Sequence, residues 1–389
     1  MVYTHIYIYI YITKEQQLKI ERRYYIFQKM ADDPRLDPRQ RPLLKMMEGR
    51  GSSSAMVISK ESEKDNTWEE IYARANTPAR QKQMQATFKM MEGLGDTNSV
   101  PVSTLDVQEG TFISNPDNNH VPFVFFRPKK YNQMDKVPCV YYLHGGGMSS
   151  LSVFYSFYQV WLRRIANQNV AVFAIDFRNS LTPSKNPIVA PFPAGLNDCV
   201  SGIQWLHENA GKFGIDSERI IIAGESGGGN LTIATTLKLK QLNKLHIISG
   251  FYPLCPYIAG EYPQKEQFPS HEENNGILLT LGGGSKYIYG IDGFNNKDPL
   301  AWPSFATIED CKGLPPVIVV VNECDPLRDE GIDFYRKCMR AGVNAQCRIV
   351  VGTMHGGELL GSMPEVSDET ARSIAFFAFG NDAKFDFKL

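Results

Sequence analysis

The stretch Arg219-Ile220-Ile221-Ile222-Ala223-Gly224-Glu225-Ser226-Gly227-Gly228-Gly229-Asn230-Leu231 decides the fold of this 389-residue chain. Its three consecutive isoleucines are typical of a buried strand, and the apolar periodicity of residues 231–239 predicts a helix. Between them, Gly224 to Gly228 fits the pattern G-x-S-x-G. A strand, a sharp turn and a helix around this pattern are the context of a nucleophile elbow, which exposes a serine hydroxyl at the end of a sheet.

The glycines around Ser226 have a physical role in such an elbow. A serine on a strained turn needs neighbours without a Cβ, so that the strand before it and the helix after it can approach closely. The N–H group of Gly227 would then lie at a helix N-terminus, where it can donate to an anion. A glycine-rich turn without a function is the alternative for the motif alone, but its context favours the nucleophile.

Short apolar runs alternate with helical patterns along the chain beyond residue 105. Runs that predict buried strands of a parallel sheet lie at 140–143, 170–175, 220–223, 245–249, 317–321 and 346–351. Helical patterns lie at 153–167, 195–209, 231–239, 331–341 and 365–379. A hairpin of residues 107–113 and 121–126 precedes them. This alternation predicts an α/β fold with a mostly parallel, doubly wound central sheet flanked by helices.

Two other parts of the chain differ in character from this alternating region. Residues 1–29 contain the repeat Ile6-Tyr7-Ile8-Tyr9-Ile10-Tyr11-Ile12. Translation of the DNA upstream of the true start would produce such a repeat. We therefore interpret these residues as a non-native or disordered extension before a start at Met30. The alternative is a targeting or membrane segment. Residues 1–29 lack the basic region and the cleavage site of a signal peptide, and their apolar repeat is far shorter than the about 20 apolar residues that a membrane span needs. Residues 30–104 are helical and irregular, and 105–389 form the predicted catalytic domain, with an insertion at about 255–311.

Composition excludes several classes of partner. The chain has 41 lysines and arginines against 42 aspartates and glutamates, a net charge of −1, which gives no electrostatic case for nucleic acid or an anionic membrane. Outside the extension, no stretch is apolar enough to span a bilayer. The seven cysteines are odd in number and scattered, which indicates neither a disulfide framework nor a zinc site. They are typical of a reducing compartment and predict a cytoplasmic protein.

A serine nucleophile needs a base that takes its proton and an acid that orients the base. His355 follows the last predicted strand, and loops at the carboxyl ends of strands line the crevice of an open α/β sheet. The acid is expected between serine and base in the chain. Asp325, directly after the strand at 317–321, is our choice because Pro326 fixes the turn behind it. Glu323 is the weaker alternative.

A further group of candidate functional residues is His144-Gly145-Gly146-Gly147, which follows the strand predicted at 140–143. Consecutive glycines leave backbone N–H groups uncovered near whatever lies beside Ser226, as an oxyanion hole requires. A flexible glycine turn is the alternative. The occurrence of this run and of the elbow at strand ends favours the oxyanion hole.

Taken in order, these motifs resemble the hormone-sensitive-lipase-like esterases of the α/β-hydrolase superfamily. The matching residues are His144-Gly145-Gly146-Gly147, Asp176-Phe177-Arg178, Phe192-Pro193-Ala194-Gly195-Leu196-Asn197-Asp198, Gly224-Glu225-Ser226-Gly227-Gly228-Gly229-Asn230, Leu314-Pro315-Pro316, Asp325-Pro326-Leu327-Arg328-Asp329-Glu330 and His355-Gly356. Where the family often has Asp-Ser-Ala, this chain has Glu225-Ser226-Gly227. The resemblance implies a triad of Ser226, Asp325 and His355, with an oxyanion hole of the N–H groups of Gly146, Gly147 and Gly227. It also implies a helical cap, built from residues 30–104 and the insertion.

These features predict a serine carboxylic-ester hydrolase that acts on small acyl esters through an acyl-enzyme, with no metal or organic cofactor. Its partner would be a small-molecule ester, and a homodimer through the final strand and helix is left open. A lactonase, an amidase or a dehydratase on the same scaffold is the alternative. A non-catalytic small-molecule receptor is less favoured, since such receptors typically lose a triad member.

Overall fold

The computed structural model describes residues 31–48, 67–82, 86 and 100–380 of the chain. The predicted extension 1–29 and the predicted start at Met30 lie outside these residues.

The described part of the chain contains an eight-stranded sheet in the order β1-β2-β4-β3-β5-β6-β7-β8. Its strands are β1 (Leu105–Ser114), β2 (Asn119–Pro128), β3 (Val137–Leu143), β4 (Ala171–Ile175), β5 (Ile215–Glu225), β6 (Gly250–Leu254), β7 (Val317–Asn322) and β8 (Ala345–Val350). The β1–β2 and β2–β4 pairs are antiparallel, and all other pairs are parallel. The prediction of a mostly parallel α/β sheet is confirmed.

Helices cover both faces of this sheet. In chain order the described helices are α1 (Arg41–Glu48), α2 (Trp68–Ala75), α3 (Ser156–Ala166), α4 (Ala194–Asn209), α5 (Gly227–Gln241), α6 (Ser270–Glu273), α7 (Ser285–Tyr289), α8 (Ile291–Asn295), α9 (Ile308–Cys311), α10 (Arg328–Arg340) and α11 (Pro364–Phe379). Helices α4, α5 and α10 pack on one face of the sheet, and α3 and α11 pack on the other. None of the helices in the described ranges is long and apolar enough to cross a membrane.

Strand β5 shows why both faces must be covered. Successive side chains of a strand point to opposite faces, so an uninterrupted apolar run buries both. Ile220 and Ile222 belong to the core on the α4–α5–α10 side, whereas Ile221 and Ala223 belong to the core under α3 and α11. All four side chains are wholly buried. The strand is thereby held from two sides, and its carboxyl end, at Glu225, is a rigid base for the turn that follows.

The strand predicted at 245–249 is wrong. Residues Leu245–Ile247 form a 3₁₀ turn, and the strand is β6, which pairs with β5 and β7 on its two sides. The sequence of β6 is atypical, because glycine weakens a strand and proline lacks the N–H that a central strand donates. A Cβ on Gly250 would lie 2.6 Å from the ring of Phe377. The close packing of α11 therefore requires a glycine inside this strand.

The N-terminal segment packs on the loops that follow β7 and β8. It shares a small buried cluster with the insertion and with both loops, formed by Ala31, Leu36, Leu44, Ile277, Cys324 and Met354. A second cluster joins Ile71 and Ala75 of α2 to Leu181 and to Ile288 of α7. The N-terminal helices and the insertion thus contact the same edge of the sheet. Their division from the hydrolase domain as a cap stays a prediction.

One side chain of this segment contacts the loop after β8 directly. The Gln40 side chain is fully buried. Its Nε2 donates to the carbonyl of Gly352 at 2.6 Å, and its Oε1 accepts from the N–H of Met354 at 3.1 Å. Gln40 therefore satisfies two backbone groups immediately before His355.

Candidate active site

Ser226 lies on a strained turn between β5 and α5. Its φ of 56° and ψ of −118° are unusual for a residue with a side chain. The turn is fixed on both sides of the serine, because its N–H donates to the carbonyl of Leu254 at 2.9 Å and its carbonyl accepts from Tyr257 N at 3.0 Å. A Cβ on Gly224 or Gly228 would lie 2.4 Å or 2.0 Å from the Leu143 carbonyl oxygen. The glycines are thus required by the close approach of β3.

Asp325 and His355 form a hydrogen-bonded pair at the carboxyl ends of β7 and β8. The His355 Nδ1 to Asp325 Oδ2 distance is 2.7 Å. Since a carboxylate only accepts, Nδ1 carries the proton and Nε2 is left as the acceptor in the neutral ring. The second oxygen of Asp325, Oδ1, accepts from the N–H of Leu327 at 2.9 Å. The carboxylate is completely buried, and His355 is 8% exposed, so the pair is shielded from water.

Glu323, the weaker alternative for the acid, has a different contact. Its Oε2 accepts from the N–H of Gly352 at 2.7 Å, which joins the loops after β7 and β8. The structure brings Asp325, and not Glu323, into hydrogen-bond contact with the imidazole.

The end of β6 connects Ser226 to this pair. The Leu254 carbonyl binds the Ser226 N–H, and the next residue, Cys255, offers a sulfur that lies with donor atoms of Asp325 and His355 in a group no more than 4.8 Å across. The turn that carries Ser226 and the Asp325–His355 pair therefore both adjoin the end of β6.

The environment of His355 determines its protonation. Burial lowers the pKa of the imidazole, but the charges and hydrogen bonds of Asp325 and Cys255 together outweigh burial, so this pKa lies well above its ordinary value. The neutral form, which accepts a proton, therefore gains population as the pH rises.

The loop after β3 brings backbone N–H groups beside the elbow. Gly146 and Gly147 have φ values of 95° and 61°, which favour glycine. A Cβ on Gly227 would lie 2.7 Å from Gly147 N and 2.5 Å from Met148 N. The three glycines predicted for an oxyanion hole thus adjoin one another. The His144 ring, at the start of this loop, stacks on Phe177 with centroids 4.1 Å apart.

Glu225 contributes a network that the sequence did not reveal. Its carboxylate accepts from the hydroxyls of Tyr142 and Tyr158, and Oε1 also accepts from the N–H of Gly145 at 2.6 Å. Trp161 Nε1 donates to the Tyr142 hydroxyl at 2.9 Å. Burial raises the pKa of Glu225 to about 7, against the opposing effect of these donors. The network ties the residue before Ser226 to the start of the glycine loop. The signal available in the sequence was an acidic residue at the carboxyl end of a buried strand.

A second network holds the loop that carries His355. Asn322, the last residue of β7, donates from Nδ2 to Thr353 Oγ1 at 2.7 Å and to Glu358 Oε2 at 3.0 Å. Its Oδ1 accepts from the N–H of Gly356 at 3.3 Å. One buried amide thus fixes residues on both sides of the imidazole.

Comparison with known proteins agrees with this geometry. A model of the alpha/beta hydrolase fold matches residues 140–359. An arylesterase of Saccharolobus solfataricus is 34% identical over 187 residues, which cover 47% of this chain and 56% of the arylesterase, so the chain spans little more than half of that relative.

Two esterases of known structure match nearly the whole chain. Esterase Est22 is 46% identical in sequence to this chain, and its structure matches with a TM-score of 0.83. The match covers 91% of this chain and 100% of Est22. Brefeldin A esterase, a bacterial homologue of human hormone sensitive lipase, is 30% identical with a TM-score of 0.74, and the match covers 90% of this chain and 94% of that one. The chain therefore belongs to the alpha/beta hydrolase fold family, among its hormone-sensitive-lipase-like esterases.

Proposed function

We propose that the chain is a serine carboxylic-ester hydrolase that acts on small acyl esters through an acyl-enzyme. The observation that carries the proposal is the buried His355–Asp325 pair, 2.7 Å between Nδ1 and Oδ2, at the sheet edge where a strained turn presents Ser226. The names of the relatives, arylesterase and esterase, support the same reaction.

In the proposed mechanism, Nε2 of His355 takes the proton of the Ser226 hydroxyl as its oxygen attacks the ester carbonyl. The N–H groups of Gly146, Gly147 and Gly227 donate to the developing oxyanion. The imidazolium then protonates the leaving alcohol, and an acyl-enzyme remains. A water molecule activated by the same nitrogen releases the acid. Asp325 keeps the ring in the required tautomer and stabilises its charged form.

A substrate panel tests this proposal against the alternatives. Purified protein is assayed with p-nitrophenyl esters of increasing acyl length, and with lactone, amide and dehydratable hydroxy-ketone substrates. We expect the highest kcat/KM with short acyl esters, together with stoichiometric labelling of Ser226 by a fluorophosphonate. If another substrate class is turned over faster, that class and not the ester is the substrate of the enzyme. A protein that neither turns over nor takes the label would be a receptor.

We also place the enzyme in a reducing compartment such as the cytoplasm. This is supported by the seven cysteines, all of which are free of disulfides and six of which are buried. A homodimer stays a prediction; the edge strand β8 is the surface through which it would form.

Replacing Gly227 by alanine should lower kcat by about 10²–10³, the usual loss when one oxyanion donor is displaced. A Cβ at this position would meet two backbone nitrogens of the glycine loop at 2.5 Å and 2.7 Å, so the loop must move away. Steady-state hydrolysis of p-nitrophenyl acetate measures the change. Gly211→Ala is the matched control, since a Cβ there meets nothing within 4 Å. Equal rates in both variants would contradict the assignment of the loop.

Replacing Glu225 by alanine should lower kcat by about 10-fold to 100-fold and change KM much less, because the glycine loop loses its anchor. Glu225→Gln keeps an acceptor for the Gly145 N–H and should restore most of the rate. The exposed Glu218 of the same strand gives the control Glu218→Ala. If Glu225→Ala changed only the free energy of unfolding, with kcat intact, Glu225 would be a structural residue and not a positioning residue.

A further inference from the structure

Cys255 lies against the residues proposed as the base and the acid of the triad. One donor atom from each of Cys255, Asp325 and His355 falls in a group in which no two atoms are more than 4.8 Å apart. All three residues are buried. No step of ester hydrolysis uses the thiol.

The backbone holds Cys255 firmly in this place. It follows β6 directly, with its N–H donating to the carbonyl of Val320 at 2.7 Å, and its φ is 33°. Positive φ is rare for a residue with a Cβ and costs free energy that the surrounding structure must offset. The same turn carries the Leu254 carbonyl that binds Ser226 N–H, so the thiol and the nucleophile are positioned together.

We propose that Cys255, His355 and Asp325 form a binding site for a zinc-class divalent cation, and that binding there reversibly inhibits the enzyme. Thiolate, imidazole and carboxylate are the protein ligands of Zn²⁺, with bond lengths of about 2.3, 2.0–2.1 and 2.0–2.2 Å. Around a tetrahedral ion at those bond lengths, ligand atoms lie about 3.3–3.7 Å apart, so side-chain shifts of up to about 1 Å close the site. The fourth position would be taken by water or by substrate.

The inhibition rests on the proposed function, since a cation on the ring nitrogen and carboxylate removes the base from Ser226. Binding forms bonds from the ion to the sulfur of Cys255, to Nδ1 of His355 and to a carboxylate oxygen of Asp325. The thiol proton leaves to solvent, and the proton of Nδ1 moves to Nε2, which can then no longer accept the proton of Ser226. Binding also breaks the hydrogen bond between His355 and Asp325. Because a proton must leave and that bond must open, the site should bind more weakly than a preformed zinc–thiolate site.

A second carboxylate makes the surroundings favourable for a cation. Glu358 is 1% exposed, and its Oε1 has no hydrogen-bond partner among the described residues. Asn322 joins Glu358 to the loop of His355, because its Nδ2 donates to Glu358 Oε2 at 3.0 Å and its Oδ1 accepts from the N–H of Gly356. A thiol beside the carboxylate of Asp325 favours Zn²⁺ over Mg²⁺, since Mg²⁺ prefers oxygen ligands alone.

The test begins with the full chain freed of metals by EDTA and assayed with p-nitrophenyl acetate. We expect added Zn²⁺ to lower the rate, excess EDTA to restore it, and Mg²⁺ to have no effect. For Cys255→Ser and Cys255→Ala, the Zn²⁺ concentration for half-inhibition, relative to the uninhibited rate of each variant, should rise at least about tenfold, as expected for loss of one of three ligands. Cys347→Ser is the matched control, since Cys347 is outside the cluster, and should be inhibited like the wild type.

Direct binding is measured independently of activity. Co²⁺ added to the metal-free protein should give a thiolate-to-cobalt charge-transfer absorption that the Cys347→Ser control keeps and both Cys255 variants lose. Absence of that absorption, or inhibition of the Cys255 variants at the wild-type Zn²⁺ concentration, would overturn the site. A metal-free wild type without esterase activity would instead refute the proposed function, and the cobalt spectrum would still decide the metal site.

Discussion

Ser226→Ala should lower kcat by about 10⁶, to a residual rate that the oxyanion donors and substrate binding alone support. The loss is this large because the proposed mechanism forms its acyl-enzyme on the Ser226 oxygen, and alanine has no such oxygen. Single-turnover and steady-state hydrolysis of p-nitrophenyl acetate measure the change, and fluorophosphonate labelling should disappear with it.

Ser217→Ala is the matched control for this substitution. Ser217 lies near the amino end of β5, the strand whose carboxyl end leads into the turn of Ser226. The control therefore makes the same serine-to-alanine change in the same strand, at the end away from the site. Its rate and its labelling should equal those of the wild type. If Ser226→Ala kept more than about one per cent of kcat, Ser226 would not be the nucleophile, since a lost nucleophile costs several powers of ten.

Asp325→Asn should lower kcat by about 10⁴, because an amide no longer fixes the tautomer that leaves Nε2 free to accept. It should also change the pH profile. Asp325, together with Cys255, holds the pKa of His355 well above its ordinary value, and only the neutral ring is a base, so activity rises as the pH rises through that pKa. Removing the carboxylate lowers the pKa, and the rising limb of kcat/KM should move to lower pH.

The substitution Glu323→Gln distinguishes the role of Glu323 from that of Asp325, the other carboxylate considered for the acid. Glu323 binds the N–H of Gly352, so its substitution should change the rate only modestly and leave the pH limb in place. A loss of rate in Glu323→Gln equal to that in Asp325→Asn, with no shift of the limb in either variant, would contradict the assignment of Asp325.

The sequence predicted those parts of the fold and site that short-range patterns encode. Strand β5 was predictable because its apolar run is buried on both faces, and the elbow because its glycines must admit the Leu143 carbonyl. Strand β6 was not predicted because its Gly250 is required by close packing against the ring of Phe377 in α11, which lies far along the chain. A local window contains no information about such a partner.

The same limit applies to the supporting contacts of the site. Glu225 contacts Tyr142, Tyr158 and the Gly145 N–H across distances of 67 to 83 residues in the chain. Asn322 reaches Glu358 over 36 residues. These pairs depend on how the strands are ordered in the sheet, which the motifs do not specify. The proximity of Cys255 to His355 is of the same kind.

The contact of Gln40 with Gly352 and Met354 connects the N-terminal segment to the loop that carries His355. An enzyme shortened past this glutamine would keep every proposed catalytic group and still lose two hydrogen bonds that steady its imidazole. A protein that begins at Met30 would retain both hydrogen bonds.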